Sequence, residues 1–168
     1  MSTVEPPLPD PNPADFTPAE REKIDAILRL YHDKRAAVVD VLKIVQRHRG
    51  WVSDESLRAM ARLLDVSAAD IDAVATFYNL IFRRPVGRNV ILLCDSVTCW
   101  ILGYERIRQR LKERLGTDFG GTSADGRFTL LPTVCLGACD HAPALMVNDD
   151  LHLDVDSDHL DSILERYR

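Results

Sequence analysis

The sequence predicts an α+β protein: a small N-terminal helical bundle followed by an α/β domain with a mixed sheet. Three observations predict it. Apolar residues recur at helical spacing through the first half. After Phe82 the pattern changes, and Asn89-Val90-Ile91-Leu92-Leu93 is a short, nearly continuous apolar run of the kind found in a covered strand. Beyond it, helical and strand-like segments alternate. With 168 residues, 46% hydrophobic and 28% charged, the chain has the length of one domain or two small ones and the composition of a globular protein.

Residues 1–16 contain Pro6, Pro7, Pro9, Pro11 and Pro13, cannot sustain helix or ladder hydrogen bonds, and are expected to form a flexible tail. Residues 17–81 form the predicted helical bundle. Thr17-Pro18-Ala19-Glu20 is a capping box with proline at the first helical position, and Ile24, Ile27, Leu28 and Tyr31 make the buried stripe of the helix it starts. A second helix is predicted over 34–49, with Val38, Val41, Leu42 and Val45 inward and Gly50 as its stop. Ser53 caps a third helix with Leu57, Met60, Ala61 and Leu64 inward, and Ser67 opens a fourth through Ile71, Val74 and Ala75. Trp51, Phe77 and Tyr78 fall at helix junctions and are assigned to core filling.

Residues 82–168 form the predicted α/β domain. A strand over 89–93 is followed by one helix over 100–115, with Tyr104, Ile107, Leu111 and Leu115 on one side, and by a second strand over 127–131. Ala144 to Leu153 reads as a hairpin around Asn148-Asp149-Asp150, and Asp156 is expected to cap a last helix burying Leu160, Ile163, Leu164 and Tyr167.

The formal charge is −5 and neither half is basic, which argues against nucleic acid as a partner. No apolar run reaches the roughly 18 residues of a membrane span. The first twelve residues carry Glu5 and four prolines where a signal peptide would need a cationic start and an apolar stretch, so a reducing cytoplasmic location is expected. In that compartment four cysteines read more readily as metal ligands or redox groups than as structural disulfides. No G-x-G-x-x-G or G-x-x-x-x-G-K-[ST] loop is present to cradle a dinucleotide or nucleoside triphosphate, and no histidine and carboxylate stand at catalytic spacing.

The cysteines are Cys94 and Cys99, spaced C-x4-C, and Cys135 and Cys139, spaced C-x3-C. Each pair follows an apolar strand, where a loop can point backbone N–H groups at sulfur. Asp95-Ser96-Val97-Thr98 leads into a helix N-terminus, and Gly137 permits positive φ. Such donors suit an anionic, sulfur-rich cluster. Zinc ligand pairs usually stand C-x2-C on a tight knuckle, whereas these wider loops favour a [2Fe–2S] centre, and on spacing alone both remain open. A thiol-disulfide enzyme is the weaker reading because C-x-x-C is absent, and the plant-type ferredoxin pattern shares only the C-x4-C.

Cys94-Asp95-Ser96-Val97-Thr98-Cys99, Gly103-Tyr104, the run from Asp125 to Thr133, and Cys135-Leu136-Gly137-Ala138-Cys139-Asp140 resemble the thioredoxin-like [2Fe–2S] ferredoxins. Within them the resemblance is to the small iron–sulfur subunits of respiratory NADH–quinone oxidoreductase (complex I), and it extends to Leu42-Lys43-Ile44-Val45-Gln46 and Ala75-Thr76-Phe77-Tyr78. It covers roughly residues 17–168 and implies a thioredoxin-like fold for the second domain. It implies one [2Fe–2S] cluster, with Cys94 and Cys99 on one iron and Cys135 and Cys139 on the other. It also implies a partner subunit that carries FMN and binds NADH, with other subunits of a peripheral arm, at the inner membrane through the complex. No independent catalysis by this chain is implied. NAD-reducing hydrogenases and NAD-dependent formate dehydrogenases use the same fold and are the alternative, beside a zinc-stapled interaction module or a redox sensor. Trp100, directly after a ligand cysteine, is bulkier than that pattern suggests.

Other candidates read as ordinary structure. His141 is a surface histidine, since four cysteines already complete a coordination set. Ser96, Thr98 and Thr133 suit capping and turns as well as hydrogen bonds to sulfur. Asp154, Asp156, Asp158 and Glu165 match EF-hand positions, but His159 stands where the loop needs glycine. Arg106, Arg108, Arg110, Lys112 and Arg114 spread around a helix as a solvated face.

Overall fold

The computed structural model describes residues 15–167. The expected tail, apart from Asp15 and Phe16, lies outside the described residues. The chain divides into two compact units, Met1–Pro85 and Val86–Arg168.

The first unit is helical: α1 (Pro18–Leu28), α2 (Val38–Arg49), α3 (Asp54–Leu64) and α4 (Ala68–Phe77). The capping box at Thr17 forms in full, with the Thr17 hydroxyl accepting from the Glu20 N–H and the Glu20 carboxylate from the Thr17 N–H. Residues 34–37 are a 3₁₀ turn instead of the first turn of α2, because the Asp33 side chain caps Arg35 there. Ser53 and Ser67 cap α3 and α4 as expected. Ile24, Val41, Leu42, Val45, Met60 and Ile71 are fully buried in one apolar core.

Two aromatics depart from expectation. Phe77 is 81% exposed and Tyr78 44%, so neither fills the core; Trp51 is only half-buried. The stripe of α4 that faces inward is Ile71 and Ala75, and the helix ends at Phe77 as Tyr78 turns extended, leaving the two rings edge to face on each other at 5.4 Å.

What ties the helices together is polar and buried. The Arg49 guanidinium donates from Nε to Glu20 Oε1 at 2.6 Å and from Nη2 to Glu20 Oε2 at 2.7 Å, while Nη1 donates to the Ser56 hydroxyl at 3.0 Å. Both side chains are 3% exposed or less, so the bidentate pair joins the ends of α1, α2 and α3 out of water. Burial raises the Glu20 carboxyl pKa, but the Arg49 hydrogen bonds and the Thr17 N–H outweigh it and hold it below the ordinary value. Arg83 performs a similar service at the end of the unit, binding Asp72 at 2.8 Å, Asp54 at 2.6 Å and the Val52 carbonyl.

The second unit holds β1 (Asn89–Cys94), α5 (Val97–Leu102), α6 (Tyr104–Leu115), β2 (Phe128–Thr133), β3 (Leu145–Val147), β4 (Asp150–His152) and α7 (Leu160–Leu164). The sheet is mixed, in the order β2-β1-β3-β4. β1 and β2 are parallel with Asn89 opposite Phe128 and Cys94 opposite Thr133, while β3 is antiparallel to both β1 and β4. All six residues of β1 are buried, as its unbroken apolar run requires for a central strand. Gly87 lies so close to β2 that a Cβ would stand 2.8 Å from the Phe128 carbonyl carbon. Tyr104, Ile107, Leu111 and Leu115 of α6 join Ile91, Leu93, Phe128 and Leu130 in the core.

Four expectations are corrected here. The single helix over 100–115 is two, because Gly103 takes φ +126° and stops the hydrogen-bond ladder between α5 and α6. The second strand runs to Thr133, since the parallel register with β1 carries it past Leu131. Asp156 does not cap α7 directly: its Oδ1 accepts from the N–H groups of Asp158 and His159, holding a turn after which α7 begins at Leu160. The basic residues of α6 are not simply solvated either, since Arg108 and Lys112 pair with Asp118, and Arg110 and Arg114 with Asp161.

Replacing Arg49 leaves a buried carboxylate unpaired, so Arg49→Met should lower the unfolding free energy by about 3–5 kcal/mol in urea denaturation. The double variant Glu20→Gln/Arg49→Met should regain most of it. In the unmodified chain the contribution of Glu20 is complete above the unfolded carboxylate pKa of about 4.3 and is lost as pH falls through the lower folded value.

Candidate metal centre

Both cysteine pairs leave the sheet at one edge. Cys94 is the last residue of β1 and lies opposite Thr133, the last of β2, two residues before Cys135. The Asp95 N–H donates to the Thr133 carbonyl at 3.0 Å, which holds the two departing loops together one residue beyond the strands. A third segment closes the site from β3: the Cys94 N–H donates to the Ala144 carbonyl at 3.2 Å. Cys94, Cys99 and Ala144 are buried together, with Leu136, Ala138 and Ala142 packed on them.

The two pairs differ in access. Cys94 and Cys99 are each 2% exposed, whereas Cys135 and Cys139 are open to solvent. Cys99 sits inside α5, not in the loop before it, because the helix starts at Val97. Cys94 and Cys99 share one buried cluster, and the sulfurs of Cys135 and Cys139 are 3.3 Å apart. Among the described residues no group of three or more His, Cys, Asp or Glu side chains is placed to hold a single ion.

Donors point at the sulfurs. The Gly137 N–H donates to Cys135 Sγ at 3.4 Å, made possible by φ +80° at Gly137. The Ala144 N–H reaches Cys99, and the Thr98 hydroxyl reaches Cys139, so a residue of α5 beside one cysteine pair acts on a sulfur of the other. Burial pushes the Cys99 thiol up to about 11; the Ala144 N–H works against that, and the Cys94 and Cys139 sulfurs add to it. At neutral pH Cys99 is therefore a thiol unless a cation takes the place of its proton. The Gly137 N–H draws the Cys135 thiol below its ordinary value, with Cys139 assisting, and Cys135 in turn raises Cys139. Four cysteines at one end of the sheet, three of them met by amide or hydroxyl donors, fit an anionic iron–sulfur centre.

Of the hydroxyls singled out in the sequence, Thr98 reaches a sulfur; Ser96 precedes α5 without a side-chain cap hydrogen bond. His141 is exposed and pairs through Nδ1 with Asp154 at 3.0 Å, pointing to a carboxylate instead of the sulfurs. Sequence reasoning missed Ala144, whose backbone serves both buried cysteines. Its only signal was its place at the head of an apolar strand, which says nothing about two cysteines roughly half a hundred residues earlier in the chain.

Residues 24–168 match the family described as thioredoxin-like [2Fe–2S] ferredoxin. The chain is 50% identical over 148 residues to a subunit of the NADH-quinone oxidoreductase of Pseudomonas aeruginosa, covering 88% of this chain and 89% of that protein. It is 48% identical over 154 residues to the protein of the same name in Escherichia coli, covering 92% and 93%. Among solved structures, an NAD+-reducing [NiFe]-hydrogenase in the H2-reduced state is similar in fold, with a TM-score of 0.68 and 24% identity over 78% of this chain. The likeness spans 22% of the hydrogenase chain.

The left-handed backbone at Gly137 is testable alone, since a Cβ there would meet nothing within 4 Å. Gly137→Ala should cost about 1–2 kcal/mol in denaturant unfolding through backbone strain, and Gly137→Asn less, because asparagine tolerates positive φ.

Proposed function

This chain belongs to the thioredoxin-like [2Fe–2S] ferredoxin family, and from that premise we propose that Cys94, Cys99, Cys135 and Cys139 hold its one [2Fe–2S] cluster. Cys94 and Cys99 bind one iron and Cys135 and Cys139 the other. The observation that carries this is the pairing of the cysteines: Cys94 and Cys99 are buried in one cluster, the Cys135 and Cys139 sulfurs are 3.3 Å apart, and the parallel strands bring the two pairs to the same end of the sheet. When bound, such a cluster takes up and returns one electron at a time. The chain's own part is to keep water from Cys94 and Cys99 and to offset negative charge on sulfur with the N–H groups of Gly137 and Ala144 and the Thr98 hydroxyl.

The protein is an electron-transfer subunit of the NADH-oxidising module of an NADH–quinone oxidoreductase. Relatives at 48–50% identity across nearly their whole length carry the name of a subunit of that complex, whereas the hydrogenase likeness speaks for the fold alone. Partner subunits follow from membership of a complex. The specific partner is a flavin-bearing, NADH-binding subunit, so that FMN and NADH reside there and not in this chain. An exposed apolar surface supports such docking: Val97, Trp100 and Ile101 on α5 and Val134 beside Cys135 are each at least 64% exposed. No helix among the described residues is long and apolar enough to cross a membrane, and a peripheral position at the inner membrane follows from the proposed partners. The tail of 1–16, bundle of 17–81 and cluster domain of 82–168 are proposed as separate parts; the division into compact units between Pro85 and Val86, four residues further on, supports the separation of the last two.

Anaerobically purified chain should contain two irons and two acid-labile sulfides, and stoichiometric zinc without sulfide would overturn the cluster reading. Cys94→Ala and Cys135→Ala should each lose the visible absorbance, while His141→Ala keeps it. Electron paramagnetic resonance of the assembled complex should show the cluster reduced by NADH if its potential allows, and by dithionite in any case; tight NADH binding by the isolated chain is the result that defeats the electron-carrier role. A fragment over 82–168 should still assemble the cluster but bind the flavin subunit more weakly than the full chain. Equal affinity would remove the bundle from docking.

A further inference from the structure

The exposed half of the site has a chemistry of its own. Cys135 Sγ and Cys139 Sγ are 3.3 Å apart and both are exposed. A disulfide needs about 2.05 Å between sulfurs, so closure asks for a shift of little more than about 1 Å. The three residues between them include Gly137, whose surroundings are open within 4 Å of a Cβ position, so the loop has room to make that shift. Cys94 and Cys99 are also neighbours, but at 2% exposure they are closed to an external reagent.

We propose that in the cluster-free chain Cys135 and Cys139 close into a reversible disulfide, while Cys94 and Cys99 remain thiols. The oxidant is a low-molecular-weight disulfide such as oxidised glutathione. One cysteine thiolate attacks it, forming a mixed disulfide and releasing one reduced thiol; the other cysteine then displaces the second. Two cysteine thiols are oxidised, one small disulfide is reduced to two thiols, and the two cysteine protons end on those released thiols. The bridge shelters the two exposed sulfurs from irreversible oxidation to sulfinic acid until they are reduced again. The inference concerns the site proposed for the cluster but not the identity of the metal, which iron and sulfide content decides separately.

The sequence makes the test direct. Cleavage after Arg88, Arg106, Arg127 and Arg166 places Cys94 and Cys99 in peptide 89–106 and Cys135 and Cys139 in peptide 128–166. The full chain is stripped of iron with a chelator, exchanged out of reductant, treated with oxidised glutathione, unfolded in the presence of an alkylating reagent, and digested with trypsin. Mass spectrometry should find 128–166 unalkylated and two hydrogens lighter than its dithiol form, and 89–106 alkylated at both cysteines. Dithiothreitol before alkylation should restore full labelling. In Cys139→Ser the same treatment should leave Cys135 as a glutathione adduct, because the displacing thiol is gone. A bridge within 89–106, a link between the two peptides, two glutathione adducts on 128–166, or four unreacted thiols would each overturn the proposal.

Discussion

In a parallel strand pair both chains leave the sheet at the same edge, and that constraint makes one site from two cysteine pairs that are far apart in sequence. The register from Asn89 opposite Phe128 to Cys94 opposite Thr133 brings the Cys94 loop and the Cys135 loop out side by side. A slip of one residue would turn Cys94 to the opposite face of the sheet. The register is held at both ends: Gly87 packs directly on the backbone of β2 at the start, and the Asp95 N–H bonds the Thr133 carbonyl at the finish. Between them, six buried positions of β1 leave the strand no alternative polar face.

The site that results is asymmetric. Ala144, arriving on β3, covers Cys94 and Cys99 with its backbone and excludes water from them. Cys135 and Cys139 lie on a loop and a short 3₁₀ turn with no such cover. For the proposed electron carrier this is a useful division: the buried cysteines would anchor the cluster, and the open pair, beside exposed Val134, Val97, Trp100 and Ile101, would lie on the side offered to the proposed partner. The same asymmetry sets which thiols an oxidant reaches when no metal occupies them.

The apolar core of the helical unit encloses one charge pair held out of water. The Glu20–Arg49 pair costs desolvation, and its bidentate geometry with the Ser56 hydroxyl and the Thr17 N–H offsets that cost by leaving the carboxylate and guanidinium well bonded. It also fixes which ends of α1, α2 and α3 meet, which apolar packing alone would specify less sharply. Glu20 has a double duty: the residue that completes the capping box of α1 is the same one that receives Arg49.

By itself the sequence determined what is local. Thr17, Ser53 and Ser67 announced helix starts because a capping hydroxyl acts within three residues, and Asn89 to Leu93 announced a central strand because burial on both faces requires an unbroken apolar run. The resemblance carried by the residues from Cys94 to Cys99, from Asp125 to Thr133 and from Cys135 to Asp140 also pointed to the family ahead of the fold. Tertiary structure decided the rest. The break at Gly103 was hidden because the apolar spacing of α6 continues smoothly from Tyr104 and one glycine does not by itself stop a helix. Phe77 and Tyr78 were misplaced because hydrophobicity does not say which side of a helix end faces a core that Ile71 and Ala75 already fill. The Arg49 partner, the Ala144 backbone and the reach of Thr98 to Cys139 depend on residues brought together from distant parts of the chain. Side-chain type and spacing encode a local preference, whereas a contact across the fold exists only once strand register and helix packing have set the distances.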